Sequence, residues 1–238
     1  MDLTKPGQSY ELENALYIVP TPIGNLDDIT IRALKVLSGA DIIACEDTRH
    51  TGNLLKKMGI PHKKMESYHE HNESKKTELL ISQIKAGKSV ALVSDAGSPL
   101  ISDPGHILVR EAVRNNIDII SLPGASAFVP ALSACGFPVN EFIFFGFPPQ
   151  KKGRKTFIEN LSKYNQTIVL YESPYRILKL LGELYDIFED NRKICLAREI
   201  SKIHEEYIRG SISECLDILN NRDAVKGEFV VVIDSGKT

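Results

Sequence analysis

Three turns rich in proline and glycine, together with four short polar clusters, hold most of the residues in this sequence whose types suit chemistry. The turns are Val19-Pro20-Thr21-Pro22-Ile23-Gly24-Asn25, the twelve residues SDAGSPLISDPG at 94–105, and Pro123-Gly124-Ala125-Ser126-Ala127. Each follows a short apolar run that reads as a strand, and ligands of α/β sheets sit at the carboxyl ends of strands. Connections of ~2–6 residues are usual between strand and helix, so the length of 94–105 marks it as more than punctuation. None of the turns has the three glycines of a dinucleotide fingerprint, and no complete Walker A loop is present, so P-loop phosphoryl transfer is not expected. Ser126 stands between strand and helix as a hydrolase nucleophile does, but Phe128 replaces the closing glycine of that elbow. Hydrogen bonding to a polar ligand at a helix start is the better role for it.

The clusters are Cys45-Glu46-Asp47-Thr48-Arg49-His50, Tyr68-His69-Glu70-His71-Asn72-Glu73, Tyr171-Glu172-Ser173-Pro174-Tyr175-Arg176, and the ten residues AREISKIHEE at 197–206. Each begins at the end of an expected strand. His69, Glu70 and His71 are metal-ligand types, but an extended segment offers no third and fourth ligand at zinc spacing, so a polar loop is expected and no metal is assigned. Cys45, Cys135, Cys195 and Cys215 lie too far apart for a CxxC pair and read as reduced, mostly buried thiols.

The elements that must position these residues alternate in type. Runs at 16–20, 41–45, 65–68, 89–94 and 117–121 read as strands with helices between them, the signature of a mainly parallel sheet. A helix is expected over 73–86 with Gly87 as its stop, another starting from Asp103 as N-cap and Pro104 as first residue, and a third over 125–134. Strands are then expected at 142–146, 167–171, 192–198, 206–210 and 228–234, with helices near 155–162, 174–188 and 212–220. The last has the capping-box pair Ser211 and Glu214. The short link between 194–198 and 206–210 predicts an antiparallel pair, hence a mixed second sheet. The expected domains are 1–124 and 125–238.

At 238 residues, with 42% hydrophobic and 25% charged, the chain has the composition of an ordinary folded protein. Its least polar stretch, 117–137, is broken by Asp118, Pro123, Gly124 and Pro130 and is no membrane span. The first fifteen residues carry Asp2, Glu11 and Glu13 without an apolar run, so no secretory signal and a cytoplasmic location are expected. A net charge of −2 provides no global field for nucleic acid, but 51–65 and 142–158 each hold four basic residues and no acid.

Taken in order, VPTPIGNLDDIT (19–30), ACEDTRHT (44–51), SDAGSPLISDPG, LPGASA (122–127), YESPYR (171–176), AREISKIHEE and KGEFVVVI (226–233) resemble the tetrapyrrole methylase family, and within it the branch that methylates ribosomal RNA. The resemblance implies a two-domain tetrapyrrole methylase-like α/β fold, with a mainly parallel N-terminal sheet, a mixed C-terminal sheet, and S-adenosylmethionine in the cleft between them. It implies a homodimer and methylation of the ribose 2′-oxygen of a cytidine in the decoding region of 16S rRNA, with the small ribosomal subunit as partner. Carried over by motif, cofactor contacts fall on Pro20, Ser98, Ile101, Ser126 and Ala127, with Tyr171 or Glu172 and Ile200 from the second domain. Relatives acting on porphyrins have Gly-Asp-Pro where this chain has Gly97-Ser98-Pro99.

A ribose hydroxyl is a weak nucleophile that benefits from a proton acceptor or from a cation beside the developing alkoxide. Glu46 or Glu172 is expected as acceptor, and Arg49, Arg198 or Lys202 as stabiliser or phosphate contact; the alternative is that Glu46, Arg49, Glu172 and Arg198 form an interdomain ion-pair network. Lys151, Lys152, Arg154 and Lys155 are expected to reach RNA phosphates. Two other readings remain at this point: a porphyrin-precursor methylase of the same fold, and a nucleotide-binding module without catalysis.

Overall fold

The computed structural model describes residues 10–236; Asp2 and the other residues up to 9, part of the stretch read above as no signal, lie outside them. The chain divides into two compact units, the first ending at Ser126 and the second starting at Ala127. Among the described residues no helix is long and apolar enough to cross a membrane.

In the first unit, β1 (Leu16–Ile18), β2 (Ile42–Cys45), β3 (Lys64–Ser67), β4 (Val90–Val93) and β5 (Ile119–Ser121) form one sheet in the order β3-β2-β4-β1-β5. Every pairing in it is parallel, as the alternation of strand and helix signals predicts. Strands β1, β2 and β4 are buried along their whole length, which is why they read as unbroken apolar runs. Successive residues then serve opposite faces. Leu16, Ile18, Ile42, Ala44, Val90 and Leu92 pack against Leu80 and Ile84 of α3 (Glu73–Lys85) and Leu108 of α4 (His106–Arg114). Tyr17, Val19, Ile43, Cys45, Ala91 and Val93 pack against Val36 and Leu37 of α1 (Ile31–Gly39) and Leu55 of α2 (Thr48–Lys57). Gly87-Lys88-Ser89 enters β4 instead of leaving it, and Ser89 is spent on Asp41, to which its N and Oγ donate at 2.8 and 2.7 Å.

The second unit has β6 (Phe142–Gly146), β7 (Thr167–Glu172), β8 (Ile194–Arg198), β9 (Glu206–Gly210) and β10 (Phe229–Ile233) in the order β6-β7-β10-β8-β9. Only β6 and β7 pair in parallel; the rest, including the expected β8–β9 pair, are antiparallel. Helices α6 (Arg154–Leu161), α7 (Ile177–Phe188) and α8 (Ile212–Asn220) build one core cluster with these strands, while α5 (Phe128–Cys135) packs on β8, β9 and β10. Both halves of the capping box at Ser211 and Glu214 are formed.

Three helix starts differ from expectation, among them α7, which begins at Ile177 instead of residue 174 because the preceding residues form a turn closed on the Ser173 carbonyl. Asp103 and Pro104 do not open α4, whose N-cap is Gly105 at φ 138°. Asp103 is held back by a hydrogen bond with Ser94, and Gly105 packs so tightly that a Cβ would lie 2.9 Å from Leu92. Helix α5 starts at Phe128 instead of residue 125, because the Ala125 carbonyl is taken by Ser98 Oγ at 3.0 Å. All four cysteines are free and buried, and burial pushes the Cys45 and Cys195 thiols up to about 11 and Cys215 to about 12, so they are inert.

The basic loop also needs correction. Arg154 is buried, its Nε donating to both Glu183 oxygens at 2.9–3.0 Å and its Nη1 to the Pro149 carbonyl at 3.1 Å, with Glu172 Oε2 at 3.5 Å. A carboxylate pair inside the fold outcompetes a solvated phosphate for this guanidinium. Lys151, Lys152 and Lys155 do face solvent. Arg154→Ala therefore takes one of two guanidinium partners from the buried Glu172 and the closest partner from the half-buried Glu183, and is expected to lower stability by about 3 kcal/mol, read from the urea midpoint. Joint replacement of Lys151, Lys152 and Lys155 by Ala leaves that midpoint nearly unchanged.

Candidate active site

Because the first sheet is all parallel, the turns after β1, β4 and β5 emerge at the same edge, and β1 lies between the other two. Hydrogen bonds knit them together. Thr21 and Gly97 exchange both main-chain bonds, each 2.9 Å, as an isolated antiparallel bridge. Thr21 Oγ1 donates to the Ser94 carbonyl at 3.1 Å, and Ser94 Oγ to the Gly97 carbonyl at 3.0 Å. Ser98 Oγ reaches across to Ala125, and Gly124 lies so close to Pro20 that a Cβ would come within 2.5 Å of its ring. Pro20, Ser98 and Ser126 thus belong to one set of interlocked turns, with Pro20 buried and Ser98 and Ser126 half-buried. Ile101 follows on the same loop, 37% exposed, its N donating to the Ser98 carbonyl at 3.3 Å.

The loop from Ser94 to Gly105 is strained. Gly97 and Gly105 have positive φ, but so do Leu100 (71°) and Ser102 (70°), which as side-chain-bearing residues incur a steric cost there. Strain of this kind persists only where surrounding contacts enforce it. In the second unit Glu199 (51°) and Ser201 (67°) flank the buried Ile200 in the same way.

Beside the interlocked turns, on the β3-β2-β4 side, a cavity of about 380 Å³ is lined by Glu46, His69, Glu70, His71, Ser102, Asp103 and Pro104. Glu46 follows β2, the histidines follow β3, and Asp103 comes from the strained loop. Burial, reinforced by the charges of Glu46 and Asp95 and opposed by the Ser94 hydrogen bond, pushes the Asp103 carboxyl up to about 6. Burial and Asp95 also raise Glu46, against a lowering by His69. Asn72 holds His69 in place, accepting from His69 N at 2.9 Å and donating to His69 Nε2 at 3.1 Å and to the Ser67 carbonyl at 3.1 Å. His69 Nδ1 is buried without a hydrogen-bond partner. Among the described residues no three His, Cys, Asp or Glu groups are arranged to hold a metal ion. Asp103 is the site residue that sequence reasoning missed: its Asp-Pro pair looked like a helix cap, although the unusual length of its loop was a usable signal.

The other expected residues divide by exposure. The Arg49 side chain is 89% exposed and pairs at 3.2 Å with Asp47, the N-cap of α2. Glu172 has no side-chain exposure: its Oε1 accepts from Ser173 N (2.8 Å) and Arg176 Nε (2.9 Å). That makes it an internal anchor of the turn after β7. Arg198 is spent on the Lys226 carbonyl (2.6 Å) and on Glu206 (3.5 Å), and Lys202 on Glu199 (2.9 Å) and Glu228 (3.0 Å). Both are thus ion-paired at the turn after β8. Tyr171, on β7, packs its ring against Phe144 and Phe147, with centroids 5.0 and 5.5 Å away, and Ala127 is the N-cap residue of α5.

Residues 15–216 match the family Tetrapyrrole (Corrin/Porphyrin) Methylases. The chain is 45% identical over 223 residues to "Ribosomal RNA small subunit methyltransferase I" of Hydrogenobaculum sp., covering 94% of this chain and 96% of that protein. To the protein of the same name from Thermotoga maritima it is 46% identical over 222 residues, covering 93% and 98%. The crystal structure of the cobalt precorrin-4 methyltransferase CbiF aligns with a TM-score of 0.66 over 94% of this chain and 97% of that one, at 17% identity, a likeness of fold. With the match running from β1 into α8 and through every turn just described, the chain belongs to the tetrapyrrole methylase family.

Proposed function

We propose that the protein is an S-adenosylmethionine-dependent methyltransferase of small-subunit ribosomal RNA that modifies the ribose 2′-oxygen of a cytidine in the decoding region of 16S rRNA. The assembled small ribosomal subunit is its proposed substrate and a homodimer its proposed working form. The observation that carries the reading is identity of 45–46%, across nearly the whole of both chains, with relatives named as small-subunit ribosomal RNA methyltransferases. The donor, when bound, supplies a methyl group activated on a sulfonium.

The first unit fits such a donor. Interlocked turns with glycines at 97 and 124 bring main chain close to any ligand at the edge; a side chain at 124 would collide with Pro20 (2.5 Å), and one at 97 would be strained by the positive φ and press on Ile23 (3.3 Å). Pro20, Ser98, Ile101 and Ser126 are the proposed contacts. The same strained loop carries Ser98 toward the interlocked turns and Asp103 into the acidic cavity, so holding the donor also fixes the carboxylate. Asp103, with Glu46 beside it, is the proposed acceptor of the ribose proton, since a carboxylate raised toward neutrality is a stronger base than an ordinary one. Arg49 is the exposed cation nearest in sequence to Glu46 and the proposed phosphate contact.

Incubation with labelled donor and small subunits from cells lacking this protein is expected to place label on a cytidine ribose; label on a tetrapyrrole precursor instead would identify the porphyrin reading. Methyl transfer by the wild type should rise with pH, with a midpoint near 6, as Asp103 loses its proton. Asp103→Asn should lower kcat by about 10²-fold or more and abolish that inflection. Stability has the opposite sign: the folded state holds the Asp103 proton above the unfolded value of 3.8, so stability falls as pH rises toward 6. Asp103→Asn should therefore melt higher than wild type at pH 7, an advantage that shrinks to nothing near pH 4.

A further inference from the structure

In the second unit two loops are tied to one buried carboxylate. Glu172 ends β7 with no side-chain exposure. Its Oε1 holds the following turn through Ser173 N and Arg176 Nε, and its Oε2 faces Arg154 Nη1 at 3.5 Å. Arg154 in turn fixes the loop before α6 by donating to the Pro149 carbonyl. The turn is stiffened further because N of both Arg176 and Ile177 donates to the Ser173 carbonyl at 3.1 Å.

What the two loops turn outward differs from what they bury. Tyr175, at the tip of the turn after Pro174, is 94% exposed. Lys151 and Lys152 are exposed, as are the side chains of Lys155 (91%) and Lys179 (64%). Isolated apolar residues on a surface are ordinary, and flexible lysines usually serve solubility. A fully presented aromatic ring on a turn immobilised by an internal ion pair, with cations on the loop fastened to the same anchor, is a different arrangement. Stacking platforms flanked by positive charge are how proteins grip unpaired nucleotides, because every base offers a π-face and every linkage a negative charge.

We infer that this surface receives an unpaired stretch of RNA, with a base stacked on Tyr175 and its phosphates against Lys151, Lys152 and Lys155, all positioned by Glu172 and Arg154. The inference rests on the reading of the protein as an rRNA enzyme and assigns part of its substrate recognition to residues outside the acidic cavity.

The chain contains no tryptophan, so Tyr175→Trp places a unique fluorophore at the tip. Its emission should be quenched by a short single-stranded RNA and not by the same RNA annealed to its complement. Tyr175→Ala should weaken single-strand binding about tenfold, with Tyr175→Phe close to wild type. The triple Lys→Ala variant should lower the slope of log K against log salt by about 2. RNA that binds without changing the Trp emission, equal affinity for wild type and Tyr175→Ala, or an unchanged salt slope overturns the inference. The enzymatic reading is judged separately on the wild type: methyl transfer to small subunits alongside a silent tryptophan sinks only this surface, whereas quenching without methyl transfer sinks only the enzyme.

Discussion

Between Thr21 and Gly97 two main-chain hydrogen bonds join the loops that leave the neighbouring parallel strands β1 and β4, and the positive φ of Gly97 lets the second loop turn back to make them. Much else at this edge follows from that bridge. With Gly97 fixed, Ser98 is placed to hold the Ala125 carbonyl, which delays α5 to Phe128. The remainder of the loop must then reach α4 through Leu100 and Ser102 in left-handed conformations, and this path carries Asp103 into a cavity already containing Glu46. One backbone constraint thereby specifies both a main-chain cradle and a carboxylate with raised proton affinity.

The second unit manages charge in another way. Glu172, Arg154, Glu183 and Arg176 form a largely buried network whose members leave one another little freedom. Such networks contribute little net stability compared with apolar packing, and their value lies in fixing geometry. Here they fix the start of α6 and the turn before α7 relative to β7. Arg198 and Lys202 do the same for the turn after β8 through Glu206, Glu199 and Glu228. Several motif residues that look reactive in the sequence are thus held in ion pairs.

Elements governed by local rules were legible in the sequence. The fully buried runs of β1, β2 and β4, the Ser211–Glu214 cap and the antiparallel β8–β9 pair follow from hydrophobic patterning, capping chemistry and link length. What escaped was decided by partners distant in sequence. Asp103-Pro104 obeys every helix-start rule, yet Ser94 and the cavity claim the aspartate. Arg154 sits among lysines in a polar loop and shares their composition, but Glu183, 29 residues on, takes it into the fold. Glu172 is an acid at a strand end like Glu46; only their burial separates an anchor from a group facing a cavity.

In the proposed function, main chain at the interlocked turns, and not a glycine fingerprint, holds the methyl donor. Amide hydrogen exchange on the full chain, with and without saturating S-adenosylmethionine, addresses it directly. The account predicts slowed exchange within the first unit concentrated in 20–24, 94–105 and 122–126. Exchange unchanged in those three segments while the donor is demonstrably bound, or protection centred on other parts of that unit, would contradict it.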